Sequence, residues 1–176
     1  MLETSDVLAP PQAHAVLAAA QDPEETAFVE LLLRAGLRGR EVLDLAVPEP
    51  PVDGALTLIA PSFRRYERTI AIAPTTARAV HAQAQAAGVR PGEPLFPGCG
   101  EIRLVQRVHG LCADADLHTD LAALRRTAIS SALDDEATLL SDAQAYFGFT
   151  VDGMLPSLRP GVDVLIAGVL EQAYHS

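Results

Sequence analysis

Residues 31–45 read LLLRAGLRGREVLDL: an apolar helix that runs to Gly36, a turn, and the start of a second, amphipathic helix. Arg38 stands at that corner. Backbone on both sides holds the residue in place, and a planar guanidinium fork suits bidentate binding of carboxylate or phosphate. The same arginine is also one helical turn from Glu41, the spacing of an ordinary i,i+3 ion pair. Both readings are open at this point.

Upstream, Asp22-Pro23-Glu24-Glu25 is a strong helix start, with Asp as N-cap, Pro at the first helical position and carboxylates on the positive end of the dipole. Phe28, Val29, Leu31, Leu32 and Leu33 are too many apolar residues for one stripe, so this helix is predicted to be central and buried on several sides. Residues 1–10 read as a loose lead-in. Pro10-Pro11 then opens a helix through Ala20 with Val16 and Leu17 inward.

Downstream, Pro48, Pro50 and Pro51 break the chain, and Asp53-Gly54 turns into Ala55–Ala60. With Arg68–Ile72 this makes a predicted antiparallel hairpin joined by Pro61–Glu67. Pro74-Thr75 starts a helix that Gly88 closes, and Pro91–Gly100 is loop. A short helix over Glu101–Leu111 is expected to turn Ile102, Val105 and Val108 inward and Arg103, Gln106 and Arg107 outward. Thr119 or Asp120 caps a helix through Leu133, LAALRRTAISSAL, and further helices are predicted over Glu136–Phe147 and Val162–Tyr174, the last carrying Val164, Leu165, Val169 and Leu170. The fold class is mainly α with a small antiparallel β-sheet.

The chain has 176 residues, is 49% hydrophobic and contains no apolar run near the roughly 18 to 20 residues that span a bilayer. Its N-terminus lacks the basic start and apolar stretch of a signal peptide, so the expectation is a cytoplasmic protein without membrane contact. Cys99 and Cys112 read as ordinary thiols. His14, His81, His109, His118 and His175 are scattered without ligand spacing, so neither a metal nor a cofactor is expected. Thirteen basic residues, all arginine, face twenty-three acidic ones, for a formal charge of −10. An acidic molecule is repelled by nucleic acid at long range, so any contact with DNA must come from a local arginine cluster.

Ala35–Leu45 resembles the TGLR-x-x-E-[LIV]-x-x-L block of the tyrosine recombinases, the phage-integrase family, in which the arginine clamps the scissile phosphate. Leu124-Arg125-Arg126 and the small residues after it resemble the family's His-x-Leu-Arg-His box, with Arg125 at the second catalytic arginine. Arg68-Thr-Ile-Ala-Ile is similar to the end of the family's β-hairpin, Pro94-Leu-Phe-Pro to its Leu-Phe-Pro passage, and Tyr146-Phe-Gly-Phe to its Leu-Leu-Gly-His. The resemblance implies the catalytic-domain fold over residues 1–176 as one unit, without the DNA-clamping domain that precedes it in the family. It also implies phosphate contacts from Arg38, Arg125, Arg64, Arg65 and Arg68.

The sequence departs from the family at its proton-transfer groups and nucleophile. Phe63 stands at the catalytic lysine, Ala122 at the first histidine, Phe149 at the second, and an ungapped count puts Leu158 at the tyrosine. His118 lies in a loop seven residues before Arg125, off the helix face. Arginine is a poor proton donor because its pKa exceeds about 12. Catalytic residues are thus read as none intact. Three functions follow: a degenerate recombinase-like domain that binds the DNA backbone; a protein-interaction or regulatory module whose arginines form structural ion pairs; or an active recombinase with a displaced nucleophile at Tyr174, Tyr146 or Tyr66. In the family a C-terminal helix often docks on a neighbouring protomer, so Val162–Tyr174 is read either as packed against its own domain, the reading its apolar face favours, or as a surface for self-association or a protein partner.

Overall fold

The computed structural model describes residues 7–49, 55–59, 67–149 and 156–175. Helices α1 (Pro10–Ala19), α2 (Pro23–Leu33) and α3 (Gly39–Leu43) come first. A hairpin of β1 (Ala55–Ile59) and β2 (Glu67–Ala71) follows, then α4 (Pro74–Ala87), α5 (Glu101–Asp114), α6 (Leu121–Leu133), α7 (Leu140–Phe147) and α8 (Val162–Ala173).

α2 is the hub. Asp22 caps it by accepting the Glu25 N–H at 2.8 Å, Pro23 occupies its first position, and every residue from Ala27 to Leu33 is buried. α1, α3, α4, α5 and α6 all pack on it. Phe28 stacks on Phe96 with ring centroids 4.5 Å apart, which brings the 91–100 loop into the same core. Burying seven consecutive residues needs helices on every side, as the unstriped apolar pattern predicts.

The hairpin is antiparallel in the register Ala55↔Ala71, Thr57↔Thr69, Ile59↔Glu67. Both strands match the expected segments to within one residue. α8 supports β2 and α4 from the side: the Asp163 carboxylate accepts the Ala71 N–H at 3.0 Å, and Glu171 accepts the Thr75 N–H at 3.3 Å. Ala73, the N-cap of α4, has no side chain to do this, so α8 caps α4 across space.

Three expectations are corrected. Leu8 is not part of a loose lead-in: it is buried, and its N–H donates to Thr127 Oγ1 at 2.9 Å on α6. On α5 Val108 is buried and Arg103 and Gln106 are exposed as expected, but Ile102 is 74% exposed, and Leu104, Leu111 and Cys112 complete the buried face. A spacing of three drifts around a helix, whereas 104, 108, 111 and 112 follow the true period. α7 begins at Leu140 rather than Glu136, because the Asp135 carboxylate accepts the Ala137 N–H and the Asp135 carbonyl accepts the Thr138 N–H, a local turn that competes with helix. In α8 the residues facing the core are Ile166, Ala167, Leu170 and Tyr174, while Val164 (65%) and Leu165 are exposed.

Candidate anion site at the end of α7

Three arginines distant in sequence meet at one carboxylate. Arg68 Nη1 donates to Glu41 Oε1 at 2.7 Å, Arg38 Nη1 donates to the same oxygen at 3.3 Å, and Arg125 Nη1 lies 4.0 Å from Glu41 Oε2. The same guanidinium groups gather the carbonyls that end α7. Arg68 donates from Nε to Tyr146 O at 3.1 Å and from Nη2 to Phe147 O at 3.3 Å; Arg125 Nη2 donates to Phe147 O at 2.8 Å; Arg38 Nη2 donates to Gly148 O at 2.7 Å. Arg125 Nη1 also donates to Gly36 O.

Local sequence explains each placement. Arg38 is the N-cap of α3 in extended backbone, and Glu41, three residues on, accepts its N–H at 2.9 Å. Gly36 closes α2 at φ +61, the left-handed conformation glycine adopts without penalty, and a Cβ there would stand 2.4 Å from Phe147. Gly148 closes α7 at φ +69, and a Cβ there would stand 2.6 Å from Arg68 Nη1. Both glycines let α7 and the arginines approach closely. The last carbonyls of a helix carry partial negative charge and lack intrahelical donors, so cations collect there.

Among the described residues, three positive charges against one negative leave an excess. Burial and the neighbouring Arg38 charge push Arg125 down to about 10, with Glu41 opposing and Arg68 adding to the fall. It stays cationic at neutral pH. Burial alone would raise Glu41; the Arg68 hydrogen bond and the Arg68 and Arg38 charges outweigh it and hold the carboxyl below its ordinary value. Side-chain exposure is graded, with Arg68 at 8%, Arg125 at 12% and Arg38 at 41%. Arg38 therefore presents the excess charge to solvent.

Arg64, Arg65, Tyr66 and Phe63 lie outside the described residues. Tyr146 is fully buried and its hydroxyl donates to Ala71 O at 2.7 Å; burial raises its pKa, with the Asp163 charge adding. Tyr174 is buried too, its hydroxyl within 3.2 Å of Leu33 O and 3.3 Å of Ser131 Oγ, and burial pushes it up to about 12. A phenol sealed this way is neither ionised nor open to a phosphodiester. Leu158 and Phe149 pack against the core, while His118 and Ala122 are exposed. Sequence reading paired Glu41 with Arg38 alone and missed its contact with Arg68, twenty-seven residues away. It also missed the α7 carbonyls; the Gly148 that follows two aromatic residues was the one signal for them. Among the described residues no His, Cys, Asp and Glu cluster could hold a metal ion, and no helix is long and apolar enough to cross a membrane.

No family model matches the chain, and no curated protein matches it. Solved structures do. XerA recombinase aligns over 98% of this chain and 60% of its own at TM-score 0.72 and 14% identity. The integrase from mycobacterium phage Brujita aligns over 100% and 61% at TM-score 0.74 and 15% identity. Lambda integrase residues 75–356, crystallised as a dimer bound to a COC′ core site, aligns over 88% and 60% at TM-score 0.63 and 16% identity. The chain spans about three fifths of the length of these structures. The fold is that of tyrosine recombinase catalytic domains, as the sequence resemblance implied.

Proposed function

We propose, on the premise of that shared fold, that the chain is a degenerate recombinase-like domain that binds the DNA backbone through Arg38 and Arg125, with Arg68 holding the site in shape. The convergence of Arg38, Arg68 and Arg125 on Glu41 carries the reading. These are three positions at which the sequence resembles the family, and together they leave a net positive centre on an acidic molecule. A DNA phosphate would meet Arg38 first, since it is the most exposed of the three. Neither Tyr146 nor Tyr174 serves as nucleophile in this proposal, because both hydroxyls are buried on backbone carbonyls.

A second reading, a protein-interaction module with structural arginines, draws on a different observation. Arg68 directs three nitrogens to internal acceptors and Arg125 two, as expected of groups that hold a fold together. Titration of a labelled DNA duplex across ionic strength separates the two. DNA binding predicts association at low salt that weakens as salt rises, and a drop of about tenfold or more for Arg38→Ala. Absence of association at low salt, or unchanged affinity in Arg38→Ala, overturns the first reading in favour of the second.

A further inference from the structure

We infer that the Gly148–Phe149 peptide is an internal stand-in for the anion at Arg38, and that phosphate binding there releases the end of α7. The inference rests on the DNA-binding reading above. The two acceptors of Arg38 are unequal. Its Nη1 contact to Glu41 Oε1 is 3.3 Å, on an oxygen that Arg68 already holds at 2.7 Å, whereas its Nη2 contact to Gly148 O is 2.7 Å. The Gly148 carbonyl is therefore the shorter restraint on the most exposed guanidinium of the site. That carbonyl is uncharged. The guanidinium already makes both kinds of bond charge-assisted, but a phosphate oxygen carries a full negative charge where the peptide oxygen carries only a partial one, so the phosphate attracts the guanidinium more strongly and displaces the carbonyl.

Displacement has a defined consequence. The Gly148 carbonyl and the Phe149 N–H belong to one planar peptide unit. Arg38 holds its oxygen side, and Gln144 O accepts its N–H side at 3.2 Å. Once the oxygen is free the unit can rotate about Gly148, which has wide conformational freedom. The Phe149 N–H then parts from Gln144. Arg68 and Arg125 keep their grip on Phe147 O, so the release stops one residue short of the helix body. Gly148 is thus a positioning residue for Arg38, and the Gly148–Phe149 peptide senses whether the arginine is occupied.

Amide hydrogen exchange at Phe149 reads this directly in the full chain, with a short DNA duplex at low salt as probe and binding followed in parallel by anisotropy. DNA is expected to speed Phe149 exchange roughly tenfold, the loss of one hydrogen bond to a charged group. Arg38→Ala, and Arg38→Lys as a variant that keeps the charge but not the fork, should show the faster exchange without DNA and no further change with it. Bound DNA that leaves Phe149 exchange unchanged or slower overturns the inference and spares the DNA-binding reading. Unchanged exchange in both folded variants overturns it as well. Failure of the duplex to bind at all removes the DNA-binding reading, and the inference with it.

Discussion

Glu41 has no room for a neutral substitute. Its side chain is fully buried and one of its oxygens serves two arginines, so Glu41→Gln leaves Arg68 buried without a counter-charge. Removing one partner of a buried pair costs about 3–5 kcal/mol, and urea denaturation of Glu41→Gln should show a loss in that range. A loss below about 1 kcal/mol would mean that the pair is worth no more than a surface contact. The pH dependence has a definite sign. Because the folded state lowers the Glu41 pKa, its contribution is present above the unfolded value of about 4.3 and fades as pH falls through the lower folded value. The stability gap between the native chain and Glu41→Gln should therefore narrow only below pH of about 4. Gly148→Ala strains the left-handed backbone and drives a methyl into the Arg68 guanidinium. A loss of at least about 1–3 kcal/mol is expected, with a matching fall in melting temperature.

Elements here are fastened to one another by residues that belong to neither end of the chain segment they stabilise. Glu171 of α8 caps α4, and Arg107 of α5 donates to Asp22 Oδ2 and to Glu25 Oε1, both at 2.7 Å, at the start of α2. Glu171→Ala leaves the first turn of α4 without its acceptor. The expected cost is about 1 kcal/mol, together with faster amide exchange at Thr75. Faster exchange confined to α8 would refute the capping role. Such distances in sequence also mark the limit of what the chain reveals by inspection. The dense apolar composition of α2, the Asp22-Pro23 start, the Asp120 cap and the glycine stops were legible because each is a local signal with a local cause. The first turn of α5 was not, since an isoleucine there has the chemistry of a core residue but projects into solvent. Arg38 and Arg125 were found through resemblance. Their shared dependence on Glu41 and on the carbonyls of α7 is tertiary, and no spacing in the sequence encodes it.

Taken whole, the molecule sets the arginines of this site against a strongly negative background. The formal charge of −10 makes long-range repulsion of a polyanion the dominant force beyond contact distance. Salt should thus have two opposed effects on any DNA complex: it relieves the repulsion that slows encounter, and it screens the Arg38 contact that holds the complex. Stopped-flow association measured over a salt series should rise before affinity falls, and a rate that falls monotonically would place the encounter on a basic surface instead. Thiol chemistry gives a second global check. Cys112 is buried on α5, and burial together with the Asp120 charge pushes it up to about 11, whereas Cys99 is only partly covered. A thiol reagent at neutral pH should label Cys99 first, and Cys112 only at the rate of global opening.

The loop between α4 and α5 is knitted to the segment after α3. Val47 N–H donates to Glu93 O at 2.8 Å, Gly92 N–H to Val47 O at 2.9 Å and Leu95 N–H to Leu45 O at 2.9 Å. The polypeptide is thereby stitched shut behind the arginine corner, like a seam running beneath Leu45. A short peptide spliced in beside Gly98, where the surroundings are open, should leave the seam untouched. The same splice between Gly92 and Leu95 should unpick it, and the disturbance would travel back through α3 to Arg38.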